Sequence, residues 1–415
     1  MKSILKSSVL GLALAAAFSH SAIASDLVVT FDDLNPDKKA AFEAAVEAFK
    51  EANPDINVTA NNGDREAHKN TIRNALQNDA PDVITWYPGN RMGPFVDAGL
   101  FMDISDLWSS DPNLSEKFNA IKPTMTRDDK QWGVPYSYYQ WGVYYRKDIY
   151  DKLELSEPST WEELLGNCDK MTEAGVTPFT IGTKYLWTAA GVFDYLNLRT
   201  NGYEVHNDLT AGKIKYTDDR IRATFAKWEE MLDRCSFVNT HATMSWQEAI
   251  SPFAKGDAAM YVMGNFSVGQ YKDAGLTDDQ IDFFQFPEIT SGVPRAEEAP
   301  ADAFFIPANA KNVENAKKFL AFIATPEIQS EWNKSIGQLP PNSAAEINTD
   351  DKFIVEGMET LSTAAGLAQF YDRDAPAAMA KAGMEGFQKF MLDPSTLDEV
   401  LENLDKVQAR FTSRS

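Results

Sequence analysis

Apolar positions along this chain alternate between short continuous runs and segments of helical period. Residues 27–31 form an apolar run that predicts a strand, and Asn35-Pro36 follows as a cap with proline at the first helical position. Phe42, Ala45, Val46 and Phe49 then keep the i, i+3, i+4, i+7 spacing of a helix packed on one face. Strands are predicted at 56–60 and 82–87, with a helix at about 68–77 between them. This βαβαβ order implies a parallel sheet covered by helices. A second alternating region has helices near 161–173 and 219–233 and strands near 178–181 and 258–263. A late strand, Phe304-Phe305-Ile306, precedes a helix with core positions Ala316, Phe319, Leu320 and Ile323. From about residue 343 the chain reads as helical and rich in alanine and methionine. The fold class is therefore α/β. No low-complexity linker separates two continuous domains, and a chain crossing between two lobes more than once accounts for the late return of strand character.

In open α/β sheets, ligands bind beyond the carboxyl ends of strands. Four predicted strands run into polar or aromatic loops: Asp32-Asp33, Tyr87-Pro88-Gly89-Asn90-Arg91, Gly182-Thr183-Lys184-Tyr185-Leu186-Trp187 and Gly264-Asn265-Phe266. Between Trp132 and Tyr145, seven of fourteen positions are Trp or Tyr, with no charge and no Phe. Such side chains offer a flat apolar face and a hydrogen-bonding edge, complementary to the C–H faces and hydroxyl rim of a sugar ring. A plain core strand would favour Val, Ile, Leu and Phe, because each buried Tyr hydroxyl needs a partner. Tyr136, Tyr138 and Tyr139 are the cleft candidates in this ribbon, and Trp132, Tyr144 and Tyr145 are assigned to the core. Trp246-Gln247 reads as packing and capping at a helix start.

The N-terminus adds a compartment. Lys2 and Lys6 precede a short apolar core from Val9 to Phe18, and Ala22-Ile23-Ala24 supplies an A-x-A site. Residues 1–24 are expected to be a cleaved signal peptide, with export to a periplasm and cleavage near Ala24/Ser25. The formal charge is −22 for the whole chain. An acid excess of this size argues against nucleic acid or an anionic membrane surface as partner. Two cysteines occur, Cys168 and Cys235, at matching points after Trp161-Glu-Glu-Leu and Trp228-Glu-Glu-Met. In an oxidising compartment they are expected to form a disulfide.

No catalytic or metal motif is present at local spacing. His68, His206 and His241 have no His or Cys partner at ligand spacing, and no H-E-x-x-H, G-x-S-x-G, P-loop or EF-hand loop occurs. No metal and no cofactor are expected. A secreted glycosidase would need two carboxylates converging from distant positions, with Asp32, Asp33, Asp302 and Asp372 as its candidates.

Several segments together carry a family resemblance: Asp82-Val-Ile-Thr-Trp86 with Asn90-Arg91 and Asp97-Ala-Gly99-Leu100; Gly133-Val-Pro135 with Tyr144-Tyr145-Arg146-Lys147-Asp148; Pro158-Ser-Thr160-Trp161-Glu162-Glu163; Phe253-Ala-Lys-Gly256-Asp-Ala258-Ala259-Met260 with Met263-Gly264; and Phe305-Ile-Pro307. In this order the chain resembles the periplasmic solute-binding proteins of carbohydrate ABC transporters, extracellular solute-binding family 1, which includes the maltose/maltodextrin binders. The resemblance spans essentially the whole mature chain. It implies a type II periplasmic binding fold of two α/β lobes joined by a multi-strand hinge. The first lobe would comprise residues 25–136 and 302–341, the second 137–301 and 342–415.

The resemblance also implies site residues. Trp86, Asn90 and Arg91 match a loop whose aromatic, acid and arginine touch sugar in maltodextrin binders, with Asn90 in place of the acid. Tyr139 falls where those proteins use a glutamate. Trp187 matches a cleft tryptophan, and Phe266 takes the place of a ring-stacking tryptophan in a Gly264-Asn265-Phe266 loop. Asp302 and the pair Asp372-Arg373 resemble polar cleft residues of the wider group. With Asp33, Lys184 and the three tyrosines these form the expected site. The implied function is capture of a small neutral sugar, a mono- or small oligosaccharide, by a monomer that docks transiently on inner-membrane ABC permease subunits. A sugar receptor presenting ligand to a chemosensor, and a binder of polyamines using the acidic residues, are the alternatives from other classes.

Overall fold

The structure, a computed structural model, describes residues 25–412. The expected signal peptide lies outside the described residues. The main strands, in chain order, are β1 (Ser25–Phe31), β2 (Ile56–Asn62), β3 (Val83–Trp86), β4 (Gly133–Tyr138), β5 (Trp141–Arg146), β6 (Thr177–Phe179), β7 (Ala258–Gly264), β8 (Ile281–Phe284), β9 (Ala296–Glu298), β10 (Ala301–Phe305) and β11 (Gly366–Ala368). They form two principal sheets, in the orders β2-β1-β3-β10-β4 and β8-β5-β7-β6, while β9 and β11 pair in parallel as a small third sheet.

The first three strands are parallel, as their βαβαβ order requires, with Val29 opposite Val83. The strand β10 returns antiparallel to both β3 and β4. It begins at Ala301, ahead of the predicted apolar triplet, because Ala301 and Ala303 are small residues buried within the sheet. At Asp302–Ala303 the ladder slips, leaving Tyr136 without a partner across it. Such a bulge re-aims neighbouring side chains, here beside the site. Edge strand β2 begins with alternating buried and exposed residues, whereas interior β3 is buried throughout.

The aromatic ribbon is not one strand. It divides at Tyr139-Gln140 into β4 in the first sheet and β5 in the second, and every residue of both strands is buried. No Gly or Pro marks the break, so the sequence carries no turn signal there. Around this joint Tyr138 exchanges backbone hydrogen bonds with Leu339, Asn265 N–H donates to the Gln140 carbonyl, and the Gln140 amide donates to Phe353 O. Two cores flank the joint. Phe31, Phe42, Tyr136, Phe304 and Trp332 cluster in one, and Phe193, Trp228, Phe387 and Phe390 in the other. Helix Lys352–Ser362 spans the two, with Phe353 in the second core and Ile354 and Leu361 in the first.

Cys168, in helix Trp161–Glu173, is bonded to Cys235, which ends helix Asp219–Arg234. The bond closes a separation of 67 residues and staples two helices. Replacing both cysteines by serine is expected to lower stability by about 2–4 kcal/mol, measured by denaturant titration under oxidising conditions. An unchanged midpoint would show that the unfolded chain gains no freedom from its loss.

Candidate functional site

A cavity of about 320 Å³ lies where the ends of both principal sheets face each other. Its second-lobe wall is aromatic. Trp141 begins β5 and stacks on Phe370, with ring centroids 4.6 Å apart and planes at 27°. Trp187 is the first residue of helix Trp187–Asn201 and meets Trp141 and Phe370 edge-on at 6.1 Å. Phe266 and Trp246 complete the wall, perpendicular to each other at 5.3 Å, and Tyr139 meets Phe266 edge-on at the same separation. Trp187, Trp246 and Phe266 are only partly buried, so their faces are accessible.

Local backbone aims these rings. Leu186, just before Trp187, has φ of 70°, a left-handed conformation costly for a branched side chain. At Gly264 an added Cβ would lie 2.5 Å from the Phe266 ring, so this glycine is what lets Phe266 fold back over the strand end.

The opposite wall is ionic. Asn35 caps helix Pro36–Ala52 by accepting from Asp37 N and Lys38 N, which brings Asn35 and Lys38 to the cavity. Helix Arg65–Asn78 starts three residues earlier than the apolar spacing predicts, because Asp64 caps it. The i, i+4 pair Arg65 and Lys69 then projects from one face into the site. Arg65 bonds Asp302 and Asp33, each at 3.2 Å, and Arg373 bonds the same Asp302 oxygen at 3.0 Å. Lys38 pairs with Asp33 at 3.2 Å, and Lys69 approaches Asp372 at 4.0 Å. The Arg373 guanidinium lies 4.9 Å from the Tyr87 ring centroid and 5.8 Å from that of Tyr139. Every cation lining the cavity therefore faces a carboxylate.

Burial alone would raise the Asp302 carboxyl, but Arg373 and Arg65 outweigh it and hold the group well below the usual carboxylate range. Asp33 is lowered in the same sense, burial being overruled by Lys38 and Arg65. A carboxyl depressed in the folded state contributes stability that is complete above its unfolded value near ~4 and is lost as pH falls through the folded one. Below about pH 4 the thermal midpoint is thus expected to lose the part that Asp302 and Asp33 supply. In an Asp302→Asn variant this acid-limb loss is expected to shrink; an unchanged limb would mean that other carboxyls set it.

The expected residues are placed unevenly. Asp33, Tyr139, Trp187, Phe266, Asp372 and Arg373 line the cavity. Asp302 stands directly behind, holding Arg65 and Arg373. Trp86 is buried in the first core against Tyr87 and Phe95. Tyr136 packs on Phe304 and Trp332, and the Tyr138 hydroxyl donates to Met358 Sδ at 3.5 Å. Asn265 is buried at the joint, donating to Gly337 O, and Lys184 is exposed beside Tyr185.

Asn90 and Arg91 act elsewhere. Asn90 donates from its backbone and its amide to Asp374, at 2.8 and 3.0 Å, and Arg91 donates to Ala375 O at 3.0 Å. Gly89, with φ of 67°, permits this approach, since a Cβ there would lie 2.7 Å from Asp374 Oδ1. The segment 370–375 therefore serves twice. Phe370, Asp372 and Arg373 line the cavity, while Arg373, Asp374 and Ala375 clasp the first lobe.

Sequence reasoning did not assign Asn35, Lys38, Arg65, Lys69, Tyr87, Trp141, Gln270 or Phe370 to the site, and it assigned Trp246 to packing. The i, i+4 spacing of Arg65 and Lys69, directly after the capping residue Asp64, was the available signal for that pair. Phe370 stood two residues from an expected pair. Trp141 was hidden in the ribbon, because the position of the crossover was unmarked.

Two α/β lobes joined by crossing strands, with a ligand-sized cavity between their strand ends, define a two-lobe solute-binding protein. The chain belongs to the bacterial extracellular solute-binding protein family, whose model matches residues 34–330. Membership places it outside the cytoplasm, and its family works in binding for transport. An uncharacterised ABC transporter extracellular-binding protein of Pyrococcus horikoshii is 27% identical over 334 residues, 79% of this chain and 74% of that protein. A probable sugar-binding periplasmic protein of Mesorhizobium japonicum is 27% identical over 279 residues, 64% of each chain. Among solved structures, the bacterial solute receptor AcbH, described as having an exclusive preference for β-D-galactopyranose, superposes with a TM-score of 0.82 at 26% identity, covering 94% of this chain and 99% of that one.

Proposed function

We propose that this protein captures a small neutral sugar, one or two rings in size, in the interlobe cavity and delivers it to an ABC permease. The observation that carries this reading is the pairing of an accessible aromatic wall with an ion network that neutralises itself. Trp187, Phe266 and Trp246 offer faces to the apolar side of a pyranose. Asp33, Asp372, Lys38, Lys69 and Arg373 are already paired, so they can give or accept charge-assisted hydrogen bonds with hydroxyls without requiring a ligand charge. A cavity of about 320 Å³ sits at the small end of ligand sites, which suits a short sugar. The preference described for AcbH points the same way.

The same pairing argues against a glycosidase. A general acid needs a raised carboxyl, whereas Asp302 and Asp33 are both held low by their cationic partners. Ligand bridging the two walls favours the closed arrangement and shifts the hinge equilibrium toward it. A thermal-shift panel of monosaccharides, disaccharides and longer neutral sugars tests the reading. At about 100 times its dissociation constant, the cognate sugar should add roughly 2.7 kcal/mol. No shift from any sugar of the panel would overturn the proposal.

A further inference from the structure

Inside the second lobe, away from the cavity, Asp194, His206 and Glu298 converge with no exposed surface. Asp194 lies in helix Trp187–Asn201, His206 in the next helix, Tyr203–Thr210, and Glu298 at the end of β9. One donor atom from each lies within 4.8 Å of the others, and Asp194 Oδ1 is 3.8 Å from His206 Nε2. Asp194 Oδ1, His206 Nε2 and both Glu298 carboxylate oxygens lack any hydrogen-bond partner. Buried polar atoms are almost always partnered, and unpaired buried carboxylates are among the costliest exceptions. A proton shared between the two acids would draw their oxygens to about 2.6 Å. No hydrogen bond joins them.

We propose that Asp194, His206 and Glu298 bind a divalent cation of the zinc class, sealed within the lobe as a structural site. One imidazole nitrogen, one Asp oxygen and a bidentate Glu supply four donors, the number a closed zinc site uses. Calcium would need six to eight oxygens, which this group does not offer.

One neighbouring contact orients a donor, and another must rearrange when the cation binds. Asp194 Oδ2 accepts from Tyr371 N at 2.9 Å, and His206 Nδ1 lies 3.1 Å from the Asn197 amide. Ligation through Nε2 leaves the ring proton on Nδ1. The Asn197 amide then turns its oxygen to His206, giving up its contacts with Thr224 and Asn201. Nearby Asp374 is satisfied by Asn90 and Thr210, and so belongs to the clasp. Through Tyr371 the cation would anchor the segment that carries Phe370, Asp372 and Arg373. The donors are too far apart in sequence to form a motif.

Elemental analysis of tag-free protein, purified without chelator, tests the proposal without any sugar. About one zinc-class ion per chain is expected, falling at least tenfold in Glu298→Gln. Wild-type protein unfolded in guanidinium with EDTA and refolded without metal should melt lower, and stoichiometric Zn²⁺ should restore the midpoint. Should Glu298→Gln fail to fold, His206→Gln replaces it, and the wild-type reconstitution decides independently. Wild-type protein that holds no metal and melts identically with or without zinc, manganese or calcium would overturn the proposal.

Discussion

Replacing Trp187 and Phe266 together by alanine is expected to weaken sugar binding about a thousandfold, by roughly 4 kcal/mol, while the fold persists. Each ring is an aromatic anchor of the cavity's apolar wall, and such anchors contribute about 2 kcal/mol apiece when a ligand desolvates them. Both are only partly buried, and their partners Trp141, Trp246 and Phe370 remain as a platform. Titration by calorimetry reads the affinity, and circular dichroism confirms that the variant is folded. Affinity within about threefold of wild type would mean that these rings are packing residues and that the sugar stacks elsewhere.

Asp302→Ala is expected to cost about 3–5 kcal/mol of stability, the second large effect. Asp302 is the shared partner of Arg65 and Arg373, whose side chains are only 17% and 15% exposed. Without it Arg373 loses its closest carboxylate, and two like charges are left facing each other in a poorly solvated space. Removing Arg373 as well should recover part of the loss, because the uncompensated charge leaves with it. Denaturant midpoints of the two single variants and the double variant measure that coupling. Additive losses would contradict it. Because Arg373 spans from the second lobe to Asp302 in the first, both single variants should also weaken sugar binding by loosening the closed arrangement.

The sequence disclosed the parts of the fold whose periodicity is local. The β1–β3 unit, the Asn35 cap and the Cys168–Cys235 pairing are patterns within one element or between two similar helices. It did not disclose the antiparallel return of β10 or the break at Tyr139-Gln140, because pairing partners and an unmarked crossover are set by distant packing. At the site, ring residues in the loops and helix starts that follow strands were legible, as Phe266 and Trp187 show. Asn90 and Arg91 have the right chemistry for a sugar and sit on the right kind of loop. Their bonds to Asp374 and Ala375, some 284 residues away, become visible only once the lobes are assembled. The same reason hid Asp194, His206 and Glu298.

The proposed function places a neutral sugar between an aromatic wall and a self-neutralised ion network. Isothermal titration of the best sugar from the panel, repeated across a tenfold range of salt, tests it most directly. One site per chain is expected, with an affinity that stays within about twofold over that range, since no net ligand charge is screened. The absence of binding heat with every sugar, or an affinity that falls tenfold or more as salt rises, would contradict it.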